Sequence, residues 1–71
     1  VATVAQVKKS LAKRVRSRRA DLAISQEALA EMADLDVRHI QKIEAAESNA
    51  TLETLCKLAN ALRVSIGELV A

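Results

Sequence analysis

The chain has 71 residues and a formal charge of +2, enough for one small domain and too little for a catalytic domain with a regulator attached. Half of it is apolar (51%) and none is aromatic: 14 Ala, 9 Leu, 7 Val, 4 Ile, one Met and one Cys, with no Pro and a single glycine, Gly67. Short aliphatic side chains suit close-packed helices, and a small sheet would need turn residues that are missing, so the composition points away from strands and toward one all-α domain over residues 1–71.

From the N-terminus, Val4, Val7, Leu11, Val15 and Leu22 follow helical spacing with Ala12 beside them, and Thr3 stands where an N-cap belongs. A first helix is predicted over about residues 3–20. Its other faces carry Lys8, Lys9, Lys13, Arg14, Arg16, Arg18 and Arg19 with no acid in the first 20 residues, whereas residues 21–71 hold four Lys or Arg against nine acids. A basic first segment on a domain of small net charge is the footprint of a polyanion binder. The alternatives are a merely solvated face, with Arg18 snorkelling from the apolar stripe, and an acidic lipid surface, which the lack of Trp and Phe disfavours.

After a break at residues 21–25, Ser25 has the features of an N-cap, with Ala28 in the third position. A second helix over 26–33 turns Leu29, Met32 and Ala33 inward. Asp34 and Leu35 form a tight turn, and Asp36 caps a third helix from 37 to 44 or 45, with Ile40 and Ile43 inward and Val37, Arg38, Gln41 and Lys42 outward. So small an inward set places this helix on the surface, and so short a turn requires a small residue at the helix crossing, which Ala30 supplies. A polar loop at 46–50 leads to a fourth helix starting at Thr51, with Leu52, Leu55, Leu58, Ala59 and Leu62 on one face and an end near Arg63. Ser65 caps a last short helix over 66–70. Cys56, beside the stripe of the fourth helix, reads as a small apolar filler in preference to a redox sensor.

One Cys and one His, His39, cannot build a structural zinc site from those residue types alone. There is no Ser-His-acid set, no carboxylate pair in a pocket and no Gly-rich phosphate loop, so neither an enzyme nor a metal or cofactor is expected. Residues 1–7, ahead of the first basic residue, are too short for a signal-peptide core, and no apolar run approaches the ~20 residues of a membrane span. The chain reads as cytoplasmic and reduced, and its start at Val1 in place of Met reads as trimmed.

The run Arg14-Val-Arg-Ser-Arg-Arg19, followed by Ile24-Ser-Gln-Glu-Ala-Leu-Ala30, Leu35, Ile40, Ile43-Glu44 and Leu58-Ala-Asn-Ala-Leu62-Arg-Val-Ser, resembles the Cro-type helix-turn-helix family of phage repressors and bacterial regulators over residues 8–69. The resemblance implies a compact five-helix, lambda-repressor-like domain whose second and third helices form the helix-turn-helix of a sequence-specific, double-stranded-DNA-binding regulator. Gln26 occupies the position of a glutamine that hydrogen-bonds a phosphate and braces the recognition helix. Asp36, Val37, Arg38 and Lys42 occupy positions that face the major groove, and Arg19 and Glu44 match a pair joining the first helix to the end of the third. The chain departs from the family at Asp34, where a turn glycine is usual, at Ala23, at Ala45 or Ala46, and at Arg63, which also lack glycine. Glu47 stands where relatives carry Lys or Arg.

On this reading Arg14, Arg16, Gln26, Asp36 and Asn49 hold or position phosphates, while Val37, Arg38 and Lys42 contact bases, where an arginine grips guanine through two acceptors. His39 reads as a surface or half-buried residue before a base reader, and Gln41 either braces or contacts. One recognition helix reads few base pairs and a small aliphatic core gains from a second copy, so a homodimer on a palindromic operator is expected, its two recognition helices about 34–36 Å apart. The C-terminal residues Leu62, Val64, Ile66, Leu69 and Val70 would form the dimer patch. A restriction-modification controller or a phage-type repressor fits this reading. The rival is an antitoxin-type module that neutralises a partner protein and binds its own promoter.

Overall fold

The computed structural model describes residues 1–70 and contains five helices: α1 (Val4–Asp21), α2 (Gln26–Ala33), α3 (Val37–Glu44), α4 (Leu52–Leu62) and α5 (Ile66–Val70). Hydroxyl and carboxylate caps punctuate the chain. Thr3, Ser25, Asp36 and Thr51 each accept a backbone N–H of the first turn that follows, and Ser65 Oγ accepts from Glu68 N–H at 3.1 Å. Thr3 does so within a reciprocal box, since Gln6 Oε1 accepts from its backbone N–H at 2.9 Å; such a box satisfies two otherwise orphaned donors.

One core joins all five helices. Leu11 and Val15 of α1, Leu29, Ala30 and Ala33 of α2, Ile40 and Ile43 of α3, Leu58 and Leu62 of α4 and Leu69 of α5 are all buried. Ala30 lies buried in the helix-turn-helix, as a close crossing requires. Among the described residues no helix is long and apolar enough to cross a membrane.

Four helices end in the same way. Ala23, Asp34, Ala46 and Arg63 take φ of 55°, 54°, 60° and 58°. The next N–H in each case, from Ile24, Leu35, Glu47 or Val64, closes back on the carbonyl five residues earlier. This is the Schellman arrangement, built without glycine, and Ile24, Leu35 and Val64 add the apolar contact that accompanies it by packing on the core. Left-handed backbone costs a non-glycine residue about 1–2 kcal/mol. The only glycine of the chain, Gly67, lies inside α5 instead.

Several expected burials differ. Val4 is 68% exposed, Met32 52% and Leu52 79%, and Val7 is also exposed. Each belongs to a regular apolar stripe, but the stripe runs past the edge of what packs on it. Cys56 is exposed and so is not a core filler. Leu62 and Leu69 are fully buried beneath α1 and cannot form a dimer patch, while Val64, Ile66 and Val70 are half-buried against the same core. The apolar excess at the C-terminus is used in docking α5.

The left-handed positions yield a direct expectation. Ala46→Gly removes the left-handed penalty while adding the ~0.5–1 kcal/mol entropic cost of glycine. It should therefore raise stability by about 0.5–1 kcal/mol, lifting the thermal midpoint by roughly 4 °C or more in unfolding followed by circular dichroism; a lowered midpoint would contradict the account.

Candidate nucleic-acid interface

The helix-turn-helix consists of α2, the turn at Asp34 and Leu35, and α3. Leu35 N–H closes on Ala30 O at 2.9 Å, which seals the turn. From α4, Lys57 Nζ donates to the carbonyl of Asp34 at 3.4 Å and lies 3.9 Å from its carboxylate. The turn is thus held both from within and from the neighbouring helix.

Asp36 starts α3, its Oδ1 accepting from Arg38 N–H at 2.8 Å. Ile40 and Ile43 then point into the core while Arg38, Gln41, Lys42 and Ala45, spaced three and four apart, share an exposed face. Val37 departs from its outward assignment: it is half-buried and packs on the core, leaving only part of its surface to meet a groove. His39 is half-buried, one of the two placements expected of it. Gln41 lies with Arg38 and Lys42 on the exposed face, as its spacing predicts.

The inner side of α3 ends on Glu44, a carboxylate only 6% exposed. Arg19 meets it with two parallel bonds, Nε to Oε2 at 2.8 Å and Nη2 to Oε1 at 3.0 Å, the bidentate geometry that makes Arg–carboxylate pairs strong. Gln26 Nε2 donates to Oε1 at 3.1 Å. Arg16 Nη1 donates to the backbone carbonyl of the same residue. The Arg19 guanidinium reaches back as well, Nη1 donating to Ile24 O at 3.0 Å. Its hydrogen bond to Glu44 raises the Arg19 pKa, burial opposes that, and the charges of Glu44 and Glu27 add to the rise.

The other expected phosphate groups are dispersed. Arg14 and Arg16, two residues apart, project from opposite sides of α1: Arg16 reaches α3, whereas Arg14 lines a shallow pocket with Val64, Glu68 and Leu69 at α5. The structure does not bring them together. Arg18 Nε donates to Leu62 O at the end of α4 at 2.9 Å, so its head is held by backbone. Asn49 sits on the rim of an apolar groove of about 300 Å³ between the start of α1 and α4. The long-range roles of Arg16 and Arg18 left no signal in local sequence pattern.

A helix-turn-helix family model matches residues 15–69. The control protein C.SmaI of Serratia marcescens is 44% identical over 64 residues, covering 90% of this chain and 76% of that protein. Among solved structures, the restriction-modification controller protein C.AhdI from Aeromonas hydrophila superposes with a TM-score of 0.84 at 32% identity, over 87% of this chain and 94% of that one. The hypothetical transcription factor NHTF from Neisseria superposes at 0.89 with 28% identity, over 100% of this chain and 82% of that one.

Breaking a buried ion pair by removing one partner strands the other charge, at about 3–5 kcal/mol, a large share of the ~5–15 kcal/mol that holds a small domain together. Glu44→Ala should fall in that range by urea unfolding, and replacing both partners, Arg19→Met with Glu44→Leu, should cost less than Glu44→Ala alone. A Glu44→Ala penalty below about 1 kcal/mol would mean that the node behaves as a surface pair.

Proposed function

Because the chain belongs to the Cro-type helix-turn-helix family of DNA-binding transcriptional regulators, which are not enzymes, we propose that it acts as a restriction-modification controller and binds as a homodimer to a two-fold operator in the cytoplasm, with residues 1–71 as one DNA-binding domain. Its likeness to C.SmaI and C.AhdI over nearly the whole of this chain supports the controller role. The mode of binding rests on one observation: α3 is anchored through Ile40, Ile43 and Glu44 while Arg38, Gln41 and Lys42 stand free on its outer face.

In this reading α3 enters the major groove. Arg38 and Lys42 meet base edges, with Gln41 able to donate and accept beside them. At the start of α2 the free amides of the first turn and the remaining N–H of the Gln26 amide face a phosphate. Asp36 contributes by fixing the first turn of α3, and an acidic side chain there keeps phosphate at a distance. Two protomers present two such helices to successive groove faces.

A dimer surface must be self-complementary about its axis. A candidate of that kind is at the start of α4, where exposed Leu52 lies in sequence between Ala50 and Leu55, two residues of the groove that Val4, Val7, Leu11 and Val70 also line. An exposed leucine on each copy and an apolar recess of about 300 Å³ would let each copy fill the other's groove, and a partner of the same aliphatic chemistry is a second copy of the chain.

Two measurements test the proposal. In selection of bound sites from random duplexes, Arg38→Ala should relax preference at one base pair per half-site by about 1–3 kcal/mol; an unchanged consensus would remove Arg38 from base reading. In sedimentation at micromolar concentration, Leu52→Glu should shift the chain to monomer and weaken binding to a two-fold site with little change on a single half-site. A Leu52→Glu dimer as tight as wild type would place the interface elsewhere.

A further inference from the structure

The last turn of α3 can be accounted for carbonyl by carbonyl. Gln41 O accepts from Ala45 N–H, Lys42 O from Glu47 N–H and Ile43 O from Ala46 N–H. Glu44 O, the last carbonyl of the helix, accepts instead from the side chain of Arg16, 28 residues earlier on α1. A cation at a helix C-terminus also meets the negative end of its dipole. The same residue whose carboxylate is held by Arg19 and Gln26 is therefore held a second time through its backbone.

We infer that Arg16 is a positioning residue for the recognition helix, fixing the C-terminal end of α3 against α1 through the Glu44 carbonyl, and that its effect on DNA recognition runs through this bond and not through a phosphate. This inference rests on α3 being the reading helix. Three features carry it. Glu44 O has no backbone donor among the closing bonds of this turn. Arg38, Gln41 and Lys42 lie on an eight-residue helix, too short to hold its own orientation without tertiary support. Asp36 and the core fix the start and inner side of α3, so its C-terminal end is held through Glu44, by Arg19 and Gln26 at the carboxylate and by Arg16 at the backbone, and losing the Arg16 bond is what would let that end pivot. A pivot there would move Lys42 more than Arg38 and would degrade base contacts while leaving the overall charge of the face in place.

Salt dependence separates a positioning cation from a phosphate contact, because each neutralised phosphate contributes about 0.9 to the log–log slope of affinity against salt. The experiment measures affinity for the selected operator and for a random duplex, across a salt series, for wild type and Arg16→Met. The expected result is an unchanged slope on both duplexes and a fall of about 10-fold in the operator-to-random ratio. A slope reduced by about 0.9 on both with the ratio intact would make Arg16 a phosphate ligand and overturn the inference, as would no change in either quantity. If Arg16→Met does not fold, the neutral Arg16→Gln decides: a slope reduced by about 0.9 on both duplexes overturns the inference, whereas an unchanged slope supports it. Arg38→Ala in the same series separates the two readings. Loss of discrimination there, with none in the Arg16 variants, overturns the positioning role alone, and no loss at Arg38 overturns α3 as reader and the positioning role with it.

Discussion

Glu44 is the one carboxylate that the described structure buries, and the placement of α3 depends on it. Taking a charge out of water is costly unless it is paired and fully hydrogen-bonded, and here Arg19 supplies two bonds and Gln26 a third. No buried side-chain nitrogen or oxygen among the described residues lacks a partner. Three helices therefore converge on one residue: α1 through Arg16 and Arg19, α2 through Gln26, and α3 as its owner. The apolar core that surrounds it consists of short aliphatics, whose attraction is non-directional. The hydrogen bonds at Glu44 have fixed geometry, and they give α3 a definite orientation that the core alone would leave soft.

This node changes the meaning of the basic first segment. Seven cations without an acid look like a single electrostatic patch, but they have separate tasks. Arg18 and Arg19 turn inward to the end of α4 and to Glu44, Arg16, itself exposed, reaches the end of α3, Arg14 faces α5, Lys8 lines the apolar groove, and Lys9 and Lys13 stay exposed. Arginine suits the inward tasks because its planar fork presents several donors at once. The outer face of α3 adds two exposed cations, Arg38 and Lys42. In the proposed mode of binding, charge near DNA and charge that holds the domain together are carried largely by different residues.

Much of the fold was legible because the chain is strongly punctuated. Thr3, Ser25, Asp36, Thr51 and Ser65 mark the helix starts, and the observed bounds lie within a residue or so of those expected. The resemblance singled out Ala23, Asp34 and Arg63, with Ala45 or Ala46, as places where relatives use glycine; Ala23, Asp34, Ala46 and Arg63 are the left-handed positions. It also matched Arg19 with Glu44, and the two side chains meet at 2.8 Å. What spacing could not supply was the extent of the surface opposite each stripe. Val4, Met32 and Leu52 fall on the correct periodicity yet have no helix over them, and Leu62 and Leu69, assigned to a free patch, are covered by α1. Arg16 and Arg18 reach partners 28 and 44 residues away, and no local pattern encodes such a contact.

The central claim is that the outer face of α3, held by the Glu44 node, is the surface that meets DNA. Titrating the isotope-labelled chain with its selected duplex and following backbone and side-chain resonances tests this directly. The largest perturbations should fall on Arg38, Gln41 and Lys42 and on the first turn of α2, with Lys9, Lys13 and α5 little changed. Perturbations concentrated on the outer face of α1, with α3 unmoved, would contradict it.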